Sequence, residues 1–72
     1  MMKFYKNKNY RYESEDRKFE LTCDFPVKYY YEEFEVWIEG RIEHNGKDYY
    51  FYNNNGKNLN LSDGVMLEVL SN

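Results

Sequence analysis

Hydrophobic and polar residues alternate singly along much of this chain. Over residues 17–25, "RKFELTCDF", Phe19, Leu21, Cys23 and Phe25 fall on one parity, and Lys18, Glu20, Thr22 and Asp24 on the other. A period of two describes a strand with one face on a core and one in water. Pro26 ends the run, because it has no N–H to give to a ladder. The pattern predicts a half-buried strand over 17–25 with Cys23 in the core.

A second strand is predicted over about 30–44. Phe34, Val36, Ile38 and Ile42 point inward, and Gly40 takes an inward position. Glu33, Glu35, Trp37, Glu39, Arg41 and Glu43 point outward. "KYYYEE" keeps no clean parity, which predicts a bend or bulge near Tyr31. Asn45-Gly46 signals a hairpin turn, with a return strand over 47–53. "NNNGKN" makes a second turn, 57–61 a short strand, and "SDG" a third turn. Residues 65–70 are mostly apolar on both parities, so this last strand is expected to be covered on both sides or to sit at a barrel seam. Near the start, "KFYKNKNYRY" reads as a strand broken at Asn7-Lys8-Asn9 or as a flexible arm. "SEDR" reads as a short helical turn capped by Ser14.

These elements predict an all-β fold in a single domain, 1–72. The expected architecture is a small antiparallel sheet of five or six strands, rolled into a barrel or compact sandwich.

The hairpin register decides which aromatic rings are available to a partner. A two-residue type I′ turn at Asn45-Gly46 sets Ile42 opposite Tyr49 and Gly40 opposite Phe51. The missing side chain of Gly40 then makes room for the Phe51 ring. Tyr50 and Tyr52 face outward with Arg41, Glu39 and Trp37, while Glu43 meets Asp48 unfavourably. The rival is a three-residue loop that pairs Glu43 with Lys47 and reverses every facing. Phenylalanine prefers a core more than tyrosine does, which favours the type I′ register.

Composition adds bulk to a small chain. A domain of 72 residues is marginal by size, burying roughly 60% of its unfolded surface. Nine Tyr, five Phe and one Trp compensate, since aromatic rings bury much area apiece. Charge is unevenly placed. Lys3, Lys6, Lys8 and Arg11 make 1–12 a basic arm or edge strand, while 13–72, with thirteen acids and six bases, form an acidic body. No apolar run resembles a signal sequence or a membrane span, and the single cysteine forbids an intrachain disulfide. A cytoplasmic protein without membrane association is expected. The wealth of Asn, Lys and Tyr suits AT-rich codons, as in many bacteria and their phages.

Candidate chemistry is sparse. Catalysis requires a nucleophile with its base, tuned acids or a metal. Cys23 shares the parity of core residues, and a buried apolar thiol is inert. His44 is the only histidine, and parity sets it on the face opposite Glu43 and Asp48, so no metal site is expected. No glycine-rich loop leads into a helix to cradle phosphate. The glutamates line an exposed face rather than a burial that would raise a carboxyl pKa. Neither an enzyme nor a cofactor is expected.

Binding remains. Trp37, Arg41, Tyr50 and Tyr52 lie among Glu33, Glu35, Glu39 and Glu43 on the predicted outer face. Trp, Tyr and Arg are the residue types that concentrate binding energy. Carboxylates two apart on a strand stand roughly 7 Å apart, close to the spacing of nucleic-acid phosphates. The face is therefore expected to bind another protein, with a basic nucleic-acid-handling enzyme as the matching partner. Size, acidity and composition resemble those of phage and mobile-element inhibitors in general, including anti-CRISPR proteins; the likeness is one of composition, not of motif. Two alternatives stand beside it. One is single-stranded nucleic-acid binding by the arm, where Lys3, Lys6, Lys8 and Arg11 interleave with Phe4, Tyr5, Tyr10 and Tyr12. The other is self-association into a homo-oligomer.

Overall fold

Seven short strands pair into one antiparallel sheet. The computed structural model describes residues 1–70. The strands are β1 Met2–Lys6, β2 Tyr12–Ser14, β3 Pro26–Tyr31, β4 Val36–His44, β5 Tyr49–Asn53, β6 Asn58–Asn60 and β7 Val65–Val69. Their order across the sheet is β2-β1-β7-β3-β4-β5-β6. Among the described residues there is no helix.

With no second layer, the sheet must cover its own apolar face. It does so by curling. Phe4, Tyr12, Leu21, Val27, Ile42, Phe51, Leu61 and Leu67 form one buried cluster drawn from both ends of the strand order. The Tyr12 hydroxyl donates to the Leu61 carbonyl at 3.0 Å, which joins β2 to the residue after β6. No ladder links β2 with β6, so the sheet is not closed into a barrel.

The basic segment is not an edge. β1 pairs with β2 on one side and β7 on the other, and Phe4 is fully buried. The break at Asn7 is real: Asn7 Oδ1 accepts from the N–H groups of Asn9 and Arg11, turning the chain into β2. Ser14 caps no helix. It closes a tight turn, in which Arg17 N–H donates to Ser14 O and Phe19 N–H to Ser14 Oγ.

Residues 17–25 are not a strand. Leu21 N–H donates to Tyr12 O and Asp24 N–H to Ile42 O, so the segment crosses from β2 to β4. Phe19, Leu21 and Phe25 still pack on the core, as their parity predicts. Cys23 does not; it is exposed. The cause is a turn in which Phe25 N–H donates to Thr22 O while Asp24 adopts a φ of 68°. Pro26 opens β3 instead of ending a strand, a position where its missing N–H costs nothing.

The long strand over 30–44 is a hairpin. β3 ends at Tyr31 and β4 begins at Val36, its direct partner. Glu35 takes a φ of 51°, and the turn contains no Gly, Asn or Pro. Phe34 and Val36, expected inside, are 65% and 45% exposed.

The β4–β5 hairpin turns one residue later than expected. Asn45 pairs with Asp48, so Gly46 and Lys47 occupy the corner, with Gly46 at a φ of 94°. Asn45 acts through its side chain, whose Oδ1 accepts from Lys47 N–H and Asp48 N–H, both at 2.9 Å. Ile42 therefore faces Phe51 rather than Tyr49, and Arg41 faces Tyr52. Glu43 meets Tyr50, which removes the expected clash with Asp48. A shift of two residues preserves parity. Phe51 is buried as expected, and Tyr50 and Tyr52 stay on the outer face.

Gly40 is the tightest point. A Cβ there would lie 2.6 Å from Phe51 Cζ and would strike the Tyr52 carbonyl. Gly40→Ala is expected to lower the unfolding free energy by about 1–3 kcal/mol, the usual cost of overpacking. Adding Phe51→Leu should recover only part of that loss, because the Tyr52 carbonyl remains. Urea denaturation of the single and double variants checks both statements.

Candidate functional site

The eight residues expected to bind a partner fall into two groups. Arg41, Glu43, Tyr50 and Tyr52 lie mid-sheet, where β4 meets β5. Glu33, Glu35 and Trp37 lie in or beside the β3–β4 turn. Glu39 stands between the groups, opposite Lys28, which is itself opposite Glu68.

The mid-sheet group is internally satisfied. The Arg41 guanidinium is hydrogen-bonded to Glu43 and lies 3.8 Å from Asp24. Its carbon sits 4.7 Å above the Tyr52 ring centroid. Tyr50 and Tyr52 are half-buried. A partner docking here would compete with contacts the sheet already makes.

The turn group is not satisfied in this way. Glu32, Glu33 and Glu35 are exposed and form no ion pair among the described residues. Phe34, Val36 and Trp37 are exposed together, at 65%, 45% and 36%. Two ring pairs hold this surface in shape: Tyr30 with Trp37 at 5.0 Å and Tyr31 with Phe34 at 5.3 Å. Register explains the first pair, since Tyr30 and Trp37 are direct partners across β3 and β4. Successive strand positions point to opposite faces, so the two ring pairs flank the two sides of a turn that carries three carboxylates, and together they make an aromatic tip.

Sequence reasoning missed Phe34 and Tyr30 as members of this surface. "EEFE" carried the signal, because one ring among three acids suits a turn better than a buried strand. The signal was masked by the absence of any conventional turn residue.

The basic segment is largely engaged. Lys6 Nζ donates to Asp48 Oδ2 at 2.8 Å, and Arg11 reaches Glu20 Oε1 at 3.2 Å. Phe4 and Tyr12 are buried, which leaves Tyr5 and Tyr10 exposed beside Lys3 and Lys8. His44 packs edge-on against Tyr49 at 4.6 Å, and its Nδ1 accepts from Gly46 N–H. Glu43 points away to Arg41, so these two residues do not converge. Among the described residues, no cluster of His, Cys, Asp and Glu is placed to hold a metal. No helix is long and apolar enough to cross a membrane.

Fold and surface together define a small, helix-free, all-β domain with an acidic aromatic tip. Residues 3–69 match the model of a family described as a domain of unknown function, DUF5348, and the chain belongs to that family. No curated protein and no solved structure matches it.

The Lys6–Asp48 pair ties β1 to the β4–β5 turn and sets a pH dependence. The hydrogen bond from Lys6 holds the Asp48 carboxyl below its usual range, and the same bond holds the Lys6 ammonium above its own. A depressed carboxyl stabilises the fold above its unfolded pKa of about 4, and that stability is lost as pH falls through the folded value. A raised ammonium stabilises the fold below its unfolded pKa of about 10.4, with loss only as pH rises through the folded value. Asp48→Asn is therefore expected to flatten the loss of thermal stability on acidification below about pH 4. Melting temperatures of the two proteins across an acid series provide the measurement.

Proposed function

We propose that this protein is a non-catalytic binding module that docks on another protein through its β3–β4 tip. The observation that carries the reading is the exposure of Phe34, Val36 and Trp37 at one turn, beside three carboxylates that form no ion pair among the described residues. Hydrophobic side chains usually scatter singly over a surface, and several exposed within one turn beside a polar rim suit an interface. Glu39 leads from the tip toward Arg41, Glu43, Tyr50 and Tyr52, which lie farther along the sheet where β4 meets β5 and would extend a larger docking surface. The carboxylates favour a basic partner, and nucleic-acid-handling proteins carry such surfaces. In its narrower form the proposal is inhibition of such a host protein by a phage or mobile-element product, supported by the small acidic body and codon-biased composition.

Trp37→Ala is expected to weaken the complex by about 2 kcal/mol or more, roughly thirtyfold in Kd. Phe34→Ser should act in the same direction. Phe34 is 65% exposed, so Phe34→Ser should leave the melting temperature near that of the parent, while Trp37→Ala also removes the ring pair with Tyr30 and should lower it modestly without unfolding the protein. Affinity capture from the native host, followed by titration of the purified partner, supplies the binding measurement. Undiminished binding by the double variant would remove the proposal. A wild-type dimer in light scattering that Trp37→Ala dissociates would make the tip a self-interface instead.

A further inference from the structure

A cleft of about 500 Å³ opens next to the tip, between the end of β3 and the turn that leads into β7. This volume lies within the range of ligand-sized pockets. Tyr29, Tyr30 and Tyr31 line it, with Tyr29 and Tyr31 on one face of β3, and so do the acidic residues Glu32, Glu33 and Asp63. No Lys, Arg or His lines it. The cleft wall is thus acidic and aromatic, and the nearby cations, Lys57 over Tyr31 and Lys6 near Asp63, stand outside it.

Its groups are positioned rather than loose. Asp63 Oδ1 accepts from the Lys6 backbone N–H at 2.7 Å. Tyr30 is braced by Trp37 and Tyr31 by Phe34. Tyr29 packs at 5.1 Å on Phe51, and burial pushes its hydroxyl pKa up, so the phenol stays neutral. The chain itself shows what these rings attract. Lys57 Nζ stands 5.7 Å above the Tyr31 ring, although Lys57 is not part of the cleft wall.

From this arrangement we infer that the cleft receives a cationic side chain, arginine or lysine, from a basic segment of the partner protein. Ring faces attract a cation through their quadrupoles. Carboxylates bind it through charge-assisted hydrogen bonds, which a guanidinium can form in pairs. Met66, also in the wall, offers apolar contact to the methylene stem. A nucleic-acid strand does not fit, because its phosphates would meet three carboxylates. The inference rests on the docking role of the tip and gives the chemistry of what docks.

The test is a titration of isotope-labelled protein with Ac-Gly-Arg-Gly-NH2 and Ac-Gly-Lys-Gly-NH2, followed by amide chemical shifts. The same peptides with citrulline or norleucine in place of the cation serve as neutral isosteres. Cationic peptides are expected to shift residues 30–33 and 63–66, more strongly at low salt, while the isosteres leave them unmoved. The double substitution Glu32→Gln and Glu33→Gln should weaken the response roughly fivefold or more without lowering the melting temperature. Equal shifts from the citrulline peptide, shifts spread over distant acids such as Glu68, or no shift at the solubility limit would each overturn the inference. A partner complex that depends on Trp37 while the peptides give no shift would remove the cleft and leave the docking role. Localised arginine shifts with a partner indifferent to Trp37 would do the reverse.

Discussion

The Phe51 ring lies across the backbone of Gly40, and the curl of the sheet follows from that contact. A helix-free domain of this size has no second layer to cover an apolar face. The sheet must therefore supply both floor and roof. Any side chain at position 40 would hold β4 away from the Phe51 ring and from the Tyr52 carbonyl. With that space open, Phe51 reaches both Ile42, its cross-strand partner, and Tyr29 on β3. The curl brings Tyr12 to Leu61, where one buried hydrogen bond spans the two ends of the strand order. Buried side-chain polar groups among the described residues all have partners, so the rolled interior is fully satisfied as well as apolar.

Charge is arranged to complement this geometry. Cations of β1 and of the loop that follows it face acids of the body, as Lys6 does with Asp48 and Arg11 with Glu20. Arg41 draws Glu43 and approaches Asp24 over the middle of the outer face. Glu32, Glu33 and Glu35 form no such pair and stand close together at one turn, with Asp63 across the adjoining cleft. Negative charge, exposed rings and a cleft therefore coincide at the same corner of the molecule. That coincidence is the basis for proposing this corner as the docking surface.

Alternation made much of the strand content and the inner positions Ile42 and Phe51 of β4 and β5 legible, whereas β7, mostly apolar on both parities, showed a strand but not which face is inner. Parity also survived the hairpin error, since the register moved by two residues and not one. It failed wherever the chain turned without glycine, asparagine or proline. The β3–β4 turn is built from Glu32, Glu33, Phe34 and Glu35, with Glu35 in a left-handed conformation that its side chain does not advertise. The loop over 17–25 failed for a different reason. Tertiary hydrogen bonds to Tyr12 and Ile42 hold it extended, so Phe19, Leu21 and Phe25 keep strand-like spacing without a strand. Cys23 leaves that pattern at the one point where the backbone turns. The Tyr30–Trp37 pair was hidden because it depends on a register that only the true hairpin supplies.

The two terminal strands of the sheet carry a consequence for behaviour in a crowded cell. β2 spans only Tyr12–Ser14, and its outer side is already taken by Phe19 and Leu21. β6 spans only Asn58–Asn60 and alternates asparagine with a single leucine. Neither offers a length of free backbone on which a foreign strand can register. A curled sheet that stops short of closure would ordinarily risk templating fibrils, and here the risk is removed by brevity at one margin and occupancy at the other. Strand addition is thereby disfavoured at both margins of the sheet.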